Sequence, residues 1–404
     1  MSVLLIGTLD TKGTELAYVR DQLLSLGVPV TVMDVGVLAP PAFTPDISRE
    51  KVFAAAGTNH AIVKAAGDRG KAVTLAAEGA AKLATALHRD GKLTGILSLG
   101  GSAGTTIGTA AMRAVPVGVP KLMVSTLASG QVQHYVGTRD VMMLYSVVDI
   151  AGLNRISRVV LDNAVAAMAG MTSLGRESKV TVADKPVIAA TMFGVTTPCV
   201  EAARAQLEAA GYEVLVFHAT GTGGRTMEGL IRDGLVAGVL DITTTELADE
   251  LVGGILSAGQ DRLTAASLKR VPQVISVGAL DMVNFGPFET VPSKYKERRF
   301  HQHNATVTLM RTTPEEMDRL GQEIAQKASA ANGPTAVMLP LRGVSAIDAQ
   351  GKPFWWPEAD AALFQSVRNW IAPNVELVEL DLHVNDPAFA SACAGKLLEL
   401  MQHG

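Results

Sequence analysis

The feature that most constrains this chain is an internal repeat. HRDGKLTGIL at 88 to 97 returns as IRDGLVAGVL at 231 to 240, and GVPKLMVST at 118 to 126 returns as RVPQVISVG at 270 to 278. Arg20, Leu23, Gly27, Val30 and Val32 also share their spacing with Arg204, Leu207, Gly211, Val214 and Val216. Three blocks repeated in one order mean that a single supersecondary plan has been laid down twice. Each copy must therefore close its own core.

The plan is legible in the stretch TGILSLGGSAGTT, Thr94 to Thr106. A short apolar run between glycines, then a glycine-rich turn, then AAMRAV, reads as a buried strand feeding a helix. The opening repeats that logic: Ser2 to Thr8 as a strand, the loop GTLDTKGTE, a helix from about Thr14 to Leu26, and Val28 to Val35 as a second strand. After the proline-rich segment 38 to 45 comes a mixed stretch, a long alanine-rich helix from about Gly70 to Arg89, and a further strand from Pro120 to Ser125. The polar stretch from Thr126 to Arg139 reads as a site loop. A helical stretch, Ile156 to Ala169, precedes a charged segment from Gly175 to Lys185 that reads as a linker.

The expected fold is α/β, with two tandem Rossmann-like subdomains, 1–180 and 181–404, each a mostly parallel sheet with helices on both faces. With 48% hydrophobic residues, 39 glycines and only 4% aromatics, the composition suits buried strands under small-residue helices. The second half is longer and is expected to carry more strands. It has an insertion from Ala279 to Asn304, a strand near Thr306 to Met310, a helix from Pro314, a strand from Thr335 to Pro340, a helix ending at Ile371, a strand from Val375 to Leu380 and a last helix from Pro387.

A formal charge of −4 without a long basic run argues against nucleic-acid binding by bulk electrostatics. No apolar stretch is long enough to span a bilayer, and MSVLLIGTLD reads as a first strand rather than a signal peptide. Two lone cysteines, Cys199 and Cys393, neither staple a fold nor form a zinc motif. A cytoplasmic setting is expected.

Ligands of open α/β sheets sit beyond the carboxyl ends of the strands. In the first half those ends carry Gly7, Thr8, Asp10, Thr11, Lys12, Asp34, Gly100, Gly101, Ser102, Gly104, Thr105, Ser125 and Thr126. Free amides, hydroxyls, a lysine and two acids match a nucleotide with Mg2+: amides and Lys12 for phosphate, Asp10 or Asp34 for ribose or the metal. Neither a Walker loop nor a GxGxxG fingerprint is present. The second half offers another anion site in HATGTGGRTME, with Gly221, Gly223, Gly224, Arg225 and Thr226 at a helix start. Arg225, Asp241, Glu246, His301 and His303 are its candidate catalytic residues. The basic insertion around Lys294, Lys296, Arg298 and Arg299 reads as a lid over an acidic substrate, converging with Arg225. His301 and His303 form an H-x-H pair that needs a third ligand, His218 or Asp281, to hold a metal. Cys199, near a helix start, is a candidate for a lowered pKa.

IGTLDTKGTE, the LGGSAGT turn, FHATGTGGRTME, DMVNFGP to ERRFHQHN with LMRTT, and PLRGVSAID together resemble the ATP-binding domain family of the tomato tobamovirus-resistance protein and its uncharacterised bacterial relatives. The resemblance runs essentially end to end. It implies two Rossmann-like subdomains, ATP binding on Asp10 to Gly13 and Gly100 to Thr105, and a homodimer. A TIM-barrel domain can follow in that family, and the expectation here is that any such partner is a separate polypeptide. The functional expectation is an ATP-binding protein acting on a small acidic metabolite as a ligase or kinase. The alternatives are a nucleotide-sensing interaction protein without turnover and a metal-dependent hydrolase or lyase.

Overall fold

The computed structural model describes residues 1–177 and 185–403. The chain divides into two compact units, Met1–Thr181 and Val182–Gly404. Most of the segment read as a linker, and the boundary between 180 and 181, lie outside the described residues.

The first unit runs β1 (Ser2–Gly7), α1 (Gly13–Ser25), β2 (Val30–Asp34), α2 (Arg49–Ala55), α3 (His60–Ala66), α4 (Arg69–Arg89), β3 (Leu93–Gly100), α5 (Ser102–Arg113), β4 (Lys121–Ser125), α6 (Gln133–Val136), β5 (Met142–Tyr145) and α7 (Arg155–Glu177). Its five strands lie in the order β2-β1-β3-β4-β5, and all of the pairings are parallel. The period-2 alternation of the strands divides the core between two faces. Val3, Leu5, Leu97, Leu99, Leu122 and Val124 pack under α1 and α7 against Leu16, Val19, Leu161 and Val165. Leu4, Ile6, Met33, Ile96 and Met123 pack against Val52, Phe53, Ala76, Ala80, Ile107 and Met112 of α2, α4 and α5. The mixed stretch before α4 resolves into two short helices. The Thr126 to Arg139 loop contains the single turn α6.

The second unit runs β6 (Val187–Met192), α8 (Thr197–Ala209), β7 (Glu213–His218), α9 (Thr222–Arg232), β8 (Gly238–Thr243), α10 (Thr245–Val252), α11 (Ala265–Lys269), β9 (Gln273–Gly278), β10 (Met282–Phe285), β11 (Phe300–Asn304), β12 (Val307–Arg311), α12 (Pro314–Ser329), β13 (Thr335–Pro340), α13 (Pro357–Trp370), β14 (Glu376–Leu380) and α14 (Pro387–His403). Its main sheet is parallel, in the order β14-β13-β9-β8-β6-β7. Read from the other edge this is the order of the first unit with one strand added, so the repeat in the sequence is a repeat of topology. Both units are α/β sheets of Rossmann-like build, helices covering both faces.

The two ends of the insertion are built into a sheet, and the segment with Lys294, Lys296, Arg298 and Arg299 connects β10 to β11. β10, β12 and β11 form a separate three-stranded antiparallel sheet. Val283, Phe285 and Met310 of that sheet share a core with Met317, Leu320 and Ile324 of α12 and Leu363 and Phe364 of α13. A capping box fixes the start of α12, with Thr313 and Glu316 each bonding the other's backbone amide.

A cavity at the switch point of the first unit

In a sheet ordered 2-1-3-4-5, the chain leaves in opposite directions from the first and third strands, and a crevice opens between their carboxyl ends. A cavity of ≈ 530 Å³ sits there, within the range of small-molecule and cofactor sites. Thr8, Asp10, Thr11 and Lys12 line it from the loop after β1, and Gly100, Gly101, Ser102, Ala103 and Gly104 from the turn after β3. The sequence reading places these two loops together, and the fold does so.

The α5 start has the chemistry of an anion site. Gly101 is its N-cap in extended conformation, and no side chain caps it. The first amide to bond back is that of Thr105, to the Gly101 carbonyl, so the preceding amides of the first turn point outward from the positive end of a twelve-residue helix. Gly100 is required by its neighbour: a Cβ there would lie 2.9 Å from the Gly104 Cα. Lys12, half-buried in the wall, donates from Nζ to the Ile150 carbonyl.

Sequence reasoning missed the apolar part of the opposite wall, which comes from α3 and α4. Val63, Ala72, Val73 and Ala76, with Val35, Val37, Leu38 and Ile107, make it apolar, and the exposed cations Lys64 and Arg69 stand with it. The available signal was the Gly67, Asp68, Arg69 sequence: Gly67 is left-handed at the end of α3, and Asp68 caps α4 by accepting from the Lys71 amide.

Other expected residues lie elsewhere. Asp34 is buried, accepts from the amides of Leu9 and Gly36, and pairs with Arg49 Nε at 2.7 Å. It braces the loops behind the cavity rather than lining it. Asp10 lines the cavity, yet its Oδ2 accepts from the amides of Val37 and Leu38 at 3.1 and 2.8 Å and lies 3.9 Å from Arg49 Nη1; its Oδ1 is buried, without a hydrogen-bond partner among the described residues. Thr105 and Ser125 bond each other at 2.7 Å in the core. Gly7 and Thr126 are also outside the lining residues, and Gly7 makes room for the Leu16 side chain.

In the second unit two of the expected anion donors, the amides of Gly221 and Gly224, are already engaged. The amides of Gly221 and Gly224 donate to Glu246 Oε1 at 2.7 and 3.0 Å, and Glu246 Oε2 accepts from Arg262 Nε at 2.7 Å. Arg262 also binds both oxygens of Asp241, one of them at 2.7 Å from Nη2, and lies 3.6 Å from Glu228. All four side chains are buried. Burial by itself would lower the Arg262 pKa, but the Asp241, Glu246 and Glu228 carboxylates hold it well above the usual value. Burial pushes the Glu228 carboxyl up. Asp241 and Glu246 thus form a structural ion network. Arg225 donates to the Ser257 carbonyl at 2.8 Å, and Thr226 to the Thr222 carbonyl.

Two arginines of the basic insertion are engaged elsewhere, while Lys294 and Lys296 are exposed. Arg298 pairs with Glu316 at 2.6 Å, and Arg299 donates to the Trp355 carbonyl and lies over the Trp356 ring. His301 stands edge-on to Phe354, and His303 is exposed. Of the ligands considered for a third position, His218 stacks on Phe193 and Asp281 accepts from Ser345. Among the described residues no group of three or more His, Cys, Asp or Glu gathers to hold a metal. Cys199 departs from expectation in the opposite direction: burial pushes its thiol up to about 12. Among the described residues no helix is long and apolar enough to cross a membrane.

These features define a class: a duplicated α/β protein with an open switch-point cavity in its first unit and an internally satisfied counterpart in its second. Residues 1–177 match the model of the uncharacterised protein family UPF0261 N-terminal domain, and residues 185–401 that of its C-terminal domain. The chain belongs to the UPF0261 family. It is 49% identical over 401 residues to a UPF0261 protein of Clostridium tetani, covering 99% of each chain. It is 47% identical to the UPF0261 protein RA0729 of Rhizobium meliloti over 96% of each. It is also 42% identical to the ToMV resistance protein Tm-1(GCR237) of Solanum lycopersicum, covering 98% of this chain and 55% of the tomato protein.

Proposed function

We propose that the first unit binds a nucleoside triphosphate, ATP, in the switch-point cavity. The observation that carries this reading is the pairing of an uncapped helix start and Lys12 on one side with an apolar wall on the other. Phosphates take the α5 amides and the ammonium, and a flat apolar base takes the surface of Val63, Ala72, Val73 and Ala76. The family resemblance is what favours ATP over other nucleotides. Mg2+ enters with the phosphates, since it is commonly held by one or two carboxylates plus substrate oxygens. Two carboxylates line the cavity, Asp10 and Asp68; the Asp10 side chain is 2% exposed and lies 3.9 Å from Arg49, whereas Asp68 is exposed and is the one that would meet the Mg2+.

Transfer of a phosphoryl or nucleotidyl group to a small acid is the enzymatic form of this reading. A second reading is a nucleotide sensor without turnover. It is favoured by one observation: Asp241 and Glu246, two of the groups expected to serve a second substrate, are buried and satisfied within the protein. Calorimetric titration with ATP, with and without Mg2+, tests binding; absence of heat and of thermal stabilisation at millimolar ATP would overturn it. Incubation with ATP and a panel of small carboxylic acids separates the two forms by whether ADP, AMP or phosphate appears. The proposal includes a homodimer, tested by light scattering.

A further inference from the structure

The two halves can be aligned without a gap from 88 to 103 against 231 to 246. The structure keeps that register: β3 ends at Gly100 and β8 at Thr243, while α5 starts at Ser102 and α10 at Thr245. The N-caps are Gly101 and Thr244. Two positions further on, Ala103 stands opposite Glu246.

At these two positions the halves differ in kind. Ala103 is part of the cavity wall, and its methyl leaves the space over the α5 start open. Glu246, in the first turn of α10, projects its carboxylate across to the start of the neighbouring α9, where the Gly221 and Gly224 amides and the Arg262 guanidinium bind it. The fit leaves no spare room, since a Cβ at Gly224 would meet Glu246 Oε2 at 2.1 Å. A carboxylate held by amides and a guanidinium has the bonding of a bound anionic ligand, except that it is tethered.

We infer that this position decides which half takes a ligand: alanine leaves the first unit open to an anionic group, and glutamate fills the second from within. The chain then binds one nucleotide, not two. This rests on the nucleotide-binding reading of the first unit and adds the residue that confers it and the stoichiometry.

The test is calorimetric titration of ATP into the wild-type chain and into Ala103→Glu and Ala103→Gln. A glutamate in the first turn of a helix suits the helix dipole, and Ala103 lies at the open cavity rather than in the core, so both variants should melt near the wild-type temperature. The expected result is one ATP per wild-type chain, a loss of affinity in Ala103→Glu on the order of tenfold or more, and a clearly smaller loss in Ala103→Gln. Two ATP per chain, full affinity in Ala103→Glu, or equal losses in both variants would overturn the inference. An Ala103→Glu chain that fails to fold would also overturn it, because the second unit accommodates glutamate at that position. A wild-type chain that binds no nucleotide would sink the proposed function instead. In that case, melting Glu246→Ala with and without acetate keeps the two claims apart. Recovery of stability by acetate supports the tethered-anion account, and no recovery contradicts it.

Discussion

Replacing Lys12 by alanine should weaken ATP binding without unfolding the first unit. Lys12 is half-buried at the cavity wall, and among the described residues its ammonium bonds the Ile150 carbonyl. Removing it costs that local bond, which is a small stability change, and leaves the α1 start intact because the backbone amide of Lys12 bonds the Thr8 carbonyl. A hydrogen bond to a charged group contributes about 1.5–3 kcal/mol, and each 1.4 kcal/mol is tenfold in Kd. The ratio of the variant's Kd to that of the wild type should therefore be roughly ten to one hundred. Because the cavity opens to solvent, the lower part of that range should hold at physiological salt, and the ratio should shrink further as salt is raised. The assay is calorimetry at two ionic strengths, with a thermal melt of each variant to confirm folding. A folded Lys12→Ala chain whose Kd stays within twofold of wild type would remove Lys12 from the site, and the phosphate-binding geometry with it.

Two further outcomes follow from the second unit. Arg262→Met leaves Asp241, Glu246 and Glu228 buried without their cation, a loss of about 3–5 kcal/mol by the cost of breaking a buried pair, read in a urea melt; a loss under 1 kcal/mol would contradict the network. Burial raises the Asp281 carboxyl to about 8 and the Asp360 carboxyl to about 7, in both cases next to Asp348 and offset only in part by Arg311. The native state then holds protons that the unfolded chain has released, so their contribution to stability should fall as pH rises from the ordinary Asp range near 4 to about 8. Urea melts of the wild type and of Asp281→Asn across that interval check the sign, the variant losing stability less steeply.

Much of the frame is written locally. Each apolar run bounded by glycine became a strand of the main sheets, and the duplicated blocks became duplicated topology, because a buried parallel strand and its glycine turn are specified within about ten residues. β5 escaped notice since Met142–Tyr145 is an edge strand with exposed ends and no clean apolar signature. The insertion was legible only in part: its prolines and charges mark the connection between β10 and β11, but not that its two ends pair with Val307–Arg311 in an antiparallel sheet, Arg311 pairing with Asp360 at 2.6 Å. At the site, the glycine turn and the DTKG loop were legible as helix-start chemistry. The apolar wall was not, because Val63 and Ala76 look like ordinary helix-core residues until α3 and α4 are folded beside β1. Nor could spacing reveal that Glu246 reaches the amides of Gly221 and Gly224, or that Asp34 is consumed by Arg49. Those partners are distant in sequence, and a carboxylate at a strand end looks the same whether it awaits a ligand or already has one.

The most direct measurement is amide hydrogen exchange of the wild-type chain with and without saturating ATP and Mg2+. The account predicts slowed exchange at the α5 start, 101–105, in the 8–12 loop and along 63–73, with the 221–246 region unchanged. Protection confined to 221–246, or none at the α5 start under conditions where ATP is bound, would contradict it.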